Sequence, residues 1–283
     1  MGELEKAKEN LPAEIADYFN AAPSEDMSRM DQNDVIMPRL TLLQSKSPEV
    51  EQEGIARAGQ VMEKGSKRIY LEEPKDGVIE MIPVFHWSSR IRFWPRDSVD
   101  GQGIRCQSFD SVTGKGDPGG ECFSCEHALW GSRLDGKAGT ECLHSINFLV
   151  YVTNTDHEQK MVIVSFSRTA EKIGKELANA ILQGGQGRIF TKKYQLGAFM
   201  DKGHGNVWWN YRLVRWEGLN RLDKALDPAT DGDLVVELAR INEQMAAQHK
   251  RGSSFTADDS PARKTESATA PLSETMDENA TPF

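Results

Sequence analysis

Four cysteines are the residues of this sequence whose type and spacing most clearly admit chemistry. They stand at Cys106, Cys122, Cys125 and Cys142, in the pattern C-x15-C-x2-C-x16-C. The Cys122-Phe-Ser-Cys125 pair forms a knuckle in which two thiolates can reach one ion, and four thiolates supply the tetrahedral soft-ligand shell that Zn²⁺ favours. The sequence between them, DSVTGKGDPGG and GSRLDGKAGT, has little to bury, so a metal is expected to organise an insert at about residues 104–144. His127 and His144 are alternative ligands in place of Cys106 or Cys142. Four unrelated thiols are the plainer reading, which the clustering disfavours. A catalytic zinc keeps an open position and a carboxylate base, whereas four cysteines close the shell. Glu121, Glu126 and Glu141 flank the ligands, but the H-x-E…P-C-x-x-C deaminase pattern is absent. The centre therefore reads as structural.

A second group interleaves aromatic and basic residues. Single-stranded DNA exposes its bases, so a binder without sequence preference needs stacking surfaces beside cations that follow the phosphates. The stretch FHWSSRIRFWPR supplies Trp87, Arg90, Arg92, Trp94 and Arg96. On a strand, Arg90, Arg92 and Trp94 share one face, expected to bind, while Ile91 and Phe93 share the other, expected to be core. In VWWNYRLVRW, Trp208, Asn210, Arg212, Val214 and Trp216 alternate with Val207, Trp209, Tyr211, Leu213 and Arg215. Lys192, Lys193 and Tyr194 add to the surface from a neighbouring strand. The plainer alternative is that the aromatics pack a barrel and the bases form its solvated rim.

The elements that must position these residues are mostly strands. VIEMIPVFHW, SSRIRFW, INFLVYVTN, KMVIVSFS, RIFTKKYQLGAF and VWWNYRLVRW are rich in β-branched and aromatic residues. Leu11, Ile15, Tyr18 and Phe19 have helical spacing near the start. Thr169 is placed to cap a helix carrying Ile173, Leu177, Ala180 and Ile181, stopped by Gly184 and Gly185. Leu234, Val235, Leu238, Ile241 and Met245 mark a last amphipathic helix. The expected class is mainly β (α+β): an OB-fold-like barrel, with one helix before the last strand pair, an inserted four-cysteine zinc subdomain and flanking helices. The expected division is an N-terminal helical and polar segment over residues 1–60, a DNA-binding core over 61–251 and a disordered acidic tail over 252–283.

Charge supports this division. The chain has 283 residues and a net charge of −9, yet residues 61–215 carry 21 bases against 18 acids, so the acid lies at the ends. A mildly basic middle with an acidic tail suits a nucleic-acid-binding core. The charged N-terminus, MGELEKAKEN, has no apolar signal region, and no run reaches a membrane-spanning length, so a cytoplasmic protein is expected, in the host cytoplasm if phage-encoded. Cysteines in that compartment are metal ligands or free thiols more often than disulfides. The tail ends MDENATPF, and Asp277, Glu278, Pro282 and Phe283 are candidate partner-binding residues: the terminal aromatic can fill an apolar pocket while the carboxylates meet its basic rim.

This ending resembles the acidic, Pro-Phe-terminated tail of bacterial SSB proteins and their phage counterparts, without their usual run of aspartates. The resemblance implies recruitment of replication and repair enzymes. A metal site within a strand-rich core is similar to the zinc-containing helix-destabilising proteins of tailed phages, whose ligands include a histidine where this chain offers four cysteines. PRLTLLQSKSPEV, FHWSSRIRFWP, IRCQSFDSVTGKG and CFSC also resemble a widespread group of phage proteins supposed to bind single-stranded DNA. The expected function is non-enzymatic: binding and protection of single-stranded DNA in replication or recombination, with a structural Zn²⁺ and tail-recruited partners. A zinc-ribbon interaction or transcription-regulatory protein is the first alternative. A metal-dependent DNA-processing enzyme is the lesser one, since no P-loop or compact carboxylate motif is present.

Overall fold

The computed structural model describes residues 37–95, 103–133, 136, 138–158, 160–184, 188–203 and 205–250. The expected N-terminal helix, Arg96, Gly185 and the tail residues Asp277, Glu278, Pro282 and Phe283 lie outside these.

The described chain is mainly β, with few helices. Its strands are β1 (Arg39–Leu42), β2 (Val61–Glu63), β3 (Arg68–Leu71), β4 (Ile79–Phe93), β5 (Ile104–Ser108), β6 (Thr113–Gly116), β7 (Gly120–Glu121), β8 (Leu143–Val152), β9 (Met161–Ser167), β10 (Lys192–Gly203), β11 (Asn206–Val214) and β12 (Asp223–Ala225). The helices are α1 (Pro48–Glu51), α2 (Glu171–Gly184) and α3 (Pro228–Lys250). The strands join into one mixed, open sheet of order β3-β2-β1-β9-β8-β4-β5-β6-β7, with β10 pairing β4, β11 and β12. All pairs are antiparallel except β1 with β9. Through that parallel pair, β1 joins the sheet.

β4 is the spine. Its start pairs β10 (Met81 with Tyr194), its length pairs β8, and its end pairs β5 (Arg92 with Cys106). Pro83 has no N–H for the ladder, and the register shifts between Pro83 and Phe85. The skipped Val84 carbonyl accepts instead from the Asn242 side chain of α3 at 2.6 Å. This bulge changes which alternate residues face which side. Ile79 and Met81 enter one core with Phe148, Val150, Val164, Phe166, Leu196 and Tyr211, and α2 packs on it through Ile173, Leu177 and Ile181. Ile82, Val84 and, past the bulge, Trp87 enter a second core that Leu238 and Met245 of α3 cover.

Both long helices stand where the apolar spacing puts them. Thr169 lies in a short 3-10 turn, Arg168–Ala170, just before α2. Asp227 starts α3: its Oδ1 accepts from the Ala229 N–H, and its own N–H donates to Asp231. The edges of β1 and β11 are in contact without a backbone ladder. Gln44 stands in for one. Its Nε2 donates to the Trp209 carbonyl and its Oε1 accepts from the Trp209 N–H, both at 2.9 Å. Trp209 in turn lies on Gly59, where an added Cβ would stand 2.6 Å from the indole, so only glycine fits.

Candidate metal centre and nucleic-acid interface

The insert brings the four cysteines together. Cys106 comes from β5, Cys122 follows β7, Cys125 precedes the 3-10 turn Glu126–Ala128, and Cys142 precedes β8. All four line one small pocket, none forms a disulfide, and Cys122 and Cys142 are buried. Gly114 forms the floor between two of them: an added Cβ would lie 3.0 Å from Cys106 Sγ and 3.7 Å from Cys122 Sγ. The close turns between Gly114 and Cys122 follow from Gly116, Gly119 and Gly120, whose positive φ angles suit glycine. Among the described residues, no group of three or more His, Cys, Asp or Glu side chains is already arranged to hold a metal ion. Convergence and donor chemistry nevertheless fit one: a soft divalent cation suits four sulfurs on a single pocket. Burial pushes the Cys142 thiol up to about 11, with the Arg90 charge acting in the opposite direction.

The two histidines weighed as ligands are engaged elsewhere. His127 lines the pocket, but its Nδ1 stands 2.8 Å from Glu141 Oε2 and its Nε2 stands 3.6 Å from Glu126. His144 Nδ1 stands 3.3 Å from Glu171 of α2.

Several residues expected to contact DNA are interior. Trp87 is 5% exposed, beneath α3, because the bulge turned it onto the covered side of β4. Arg92 is 4% exposed, and the face expected to bind is the buried one: Phe93, expected in the core, is half exposed. The cause is that β4 has left the main core by this point and pairs with β5, so its buried side faces the cysteines. Tyr194 is in the main core, where burial holds its hydroxyl above the ordinary range. Trp216 is buried, with the Lys224 ammonium 4.9 Å from its ring centre. Lys192 is committed to Asp223 at 2.5 Å. None of Trp87, Tyr194 or Trp216 offers a ring face for base stacking.

The remaining candidates are partly open but dispersed. The Arg105 guanidinium sits 4.4 Å over the half-buried Trp94 ring. Trp208 and Arg212 lie on β11, where Arg212 donates to the Lys75 carbonyl at 2.7 Å, and Lys193 lies on β10 opposite Lys224 of β12. On β11, Trp209, Tyr211 and Leu213 pack on the main core, whereas Val207 of the same alternating set is exposed and Asn210 of the other set is buried. Two residues with no expected role are more open than any of these. Phe123, inside the cysteine knuckle, is 94% exposed and Trp130 is 79% exposed. The signal for them was present, since large aromatics stand in a glycine-rich stretch that has no core to receive them.

A family model described as Pam3 phage gp34-like protein matches residues 6–261. The chain belongs to that family. The match spans the sheet, the cysteine insert and all three helices, and the family's name points to bacteriophage. No curated protein and no solved structure matches the chain. Among the described residues no helix is long and apolar enough to cross a membrane.

Proposed function

We propose that this chain binds single-stranded DNA for phage replication or recombination, on an OB-like barrel with an inserted zinc subdomain. The barrel reading is supported by the order β9-β8-β4-β10-β11, with α2 between β9 and β10, and by the Gln44 contact between β1 and β11. A fold hosts many functions, so the observation that carries the reading is the exposure of Phe93 at the end of β4 and of Phe123 and Trp130 in the insert, with Arg105 over Trp94. The interface is accordingly redrawn from a barrel groove to the end of β4 and the insert, with Trp208, Arg212 and Lys193 as a second contact on β10–β11.

Cys106, Cys122, Cys125 and Cys142 would hold a structural Zn²⁺, which supplies the cross-link that a glycine-rich insert lacks. The chain's own residues then do the binding. Aromatic faces stack on bases, arginine and lysine follow the phosphates, and Asp277, Glu278, Pro282 and Phe283 engage replication or recombination proteins. The reading is of a binding protein, not an enzyme, acting in the host cytoplasm.

A protein-docking insert is the second reading, favoured by one observation: Glu121 and Glu126 flank the exposed Phe123, and carboxylates repel phosphates. Fluorescence-polarisation titration of labelled poly-dT and a matched duplex across a salt series, with and without chelator, separates the two. Single-strand binding that weakens steeply with salt, with tryptophan quenching, supports DNA binding. No single-strand binding at low salt overturns it in favour of docking.

A further inference from the structure

Two arginines of β4 end at the thiol pocket, and their donors are not fully used. Arg92 is 4% exposed and reaches Glu141 Oε1 with Nε at 2.9 Å and Nη2 at 2.8 Å, while its Nη1 is buried and has no hydrogen-bond partner among the described residues. Arg90 Nε is likewise buried and unpartnered, and among the described residues no carboxylate pairs with Arg90. Both side chains line the pocket with the four cysteines. A buried N–H without a partner is costly, and the residues lining the pocket supply neither arginine with one.

We infer that Arg90 and Arg92 are positioning residues of the thiolate centre, donating to cysteine sulfurs and offsetting their charge. This rests on the reading of the four cysteines as zinc ligands. Four thiolates exceed the charge of one divalent cation by about two units, and a buried excess of charge is costly unless offset nearby. Arg90 brings a cation that no carboxylate among the described residues pairs with. Arg92 brings a donor held in place by Glu141, whose other oxygen is 2.8 Å from His127 Nδ1. The register supports the assignment, because Arg92 pairs directly with Cys106 across β4 and β5. The same strand that carries the main core thus orients the insert's ligands.

The test uses the full chain, stripped of metal and titrated with Co²⁺, followed by Zn²⁺ competition. Wild type is expected to show thiolate-to-cobalt charge-transfer bands of a four-sulfur site. Arg90→Met is expected to lower Zn²⁺ affinity by about 10–100-fold, the usual effect of removing a residue that supports a ligand. It should also move the charge-transfer bands to lower energy, since a sulfur without its donor gives up electrons more easily. Arg90→Lys should restore most of the affinity. Because Arg92→Met strands a buried carboxylate, it is made together with Glu141→Gln, and the pair should shift the bands in the same direction. Wild-type bands with unchanged energy and affinity in Arg90→Met and in the paired variant would overturn the inference and leave the zinc reading intact. Failure of wild type to give a four-sulfur spectrum would overturn both.

Discussion

Replacing Gln44 with Ala tests whether one side-chain amide holds β1 against β11. Its carboxamide makes two hydrogen bonds to the Trp209 peptide, each 2.9 Å, at a half-buried position. Deleting it leaves the Trp209 N–H and carbonyl without partners where water has only partial access. An unsatisfied group costs about 1–3 kcal/mol when buried, and the lower end applies here, so the loss is about 2 kcal/mol. For a chain of this size that corresponds to about 4–8 °C in Tm. Gln44→Glu keeps the acceptor for the Trp209 N–H but sets a carboxylate oxygen against the carbonyl, and should be no more stable than the alanine variant. Urea unfolding gives the free energy, and hydrogen exchange at the Trp209 amide reports the seam itself. A change under about 0.5 kcal/mol, with Trp209 exchange unaltered, would refute the argument, because surface substitutions away from special features stay in that range.

Other perturbations separate the metal, the surface and the core. The purified chain should carry one Zn²⁺ per molecule, and Cys122→Ser should abolish it and unfold the insert before the main core, as read by limited proteolysis between residues 103 and 142. Trp130→Ala and Phe123→Ala should each weaken poly-dT binding about 10-fold with Tm unchanged, since a base-aromatic stack contributes about 1–3 kcal/mol. Trp87→Ala should instead destabilise the fold by about 3–5 kcal/mol, because that ring is buried under α3. The hydrogen bonds from Arg221, and then those from Lys192, hold the Asp223 carboxyl well below its ordinary range against the opposing push of burial. Its contribution is therefore complete above the unfolded value of about 3.9 and lost as pH falls below it. Asp223→Asn should flatten stability against pH in that acidic window, and a wild-type-like acid profile in the variant would contradict the assignment.

The apolar patterns were legible because each reports a single local period. Ile173, Leu177 and Ile181 on α2, and Leu238 and Met245 on α3, face the cores that their spacing selects. β11 has no bulge, and Trp209, Tyr211 and Leu213 keep step on the main core, although Asn210 between them is buried as well. β4 does not keep step. A single bulge at Pro83 shifts its phase, and beyond it the strand changes sheet neighbours, so Trp87 and Arg92 go inside and Phe93 goes out. The short strands β2, β3, β6 and β7, of two to four residues each, carry too little pattern to be recognised alone. β1 was hidden because its partner β9 is remote in sequence.

By itself, the sequence determined that strands dominate, where α2 and α3 lie, and that four cysteines fall within one glycine-rich stretch. Those properties depend on residue type and on spacing along the chain. The tertiary structure alone decided which side of β4 is covered, that Arg90 and Arg92 turn toward the thiols, that Gln44 meets Trp209, and that Phe123 and Trp130 stay open. Each of these depends on which remote segment arrives to bury a surface or satisfy a backbone group, and local periodicity carries no record of that partner.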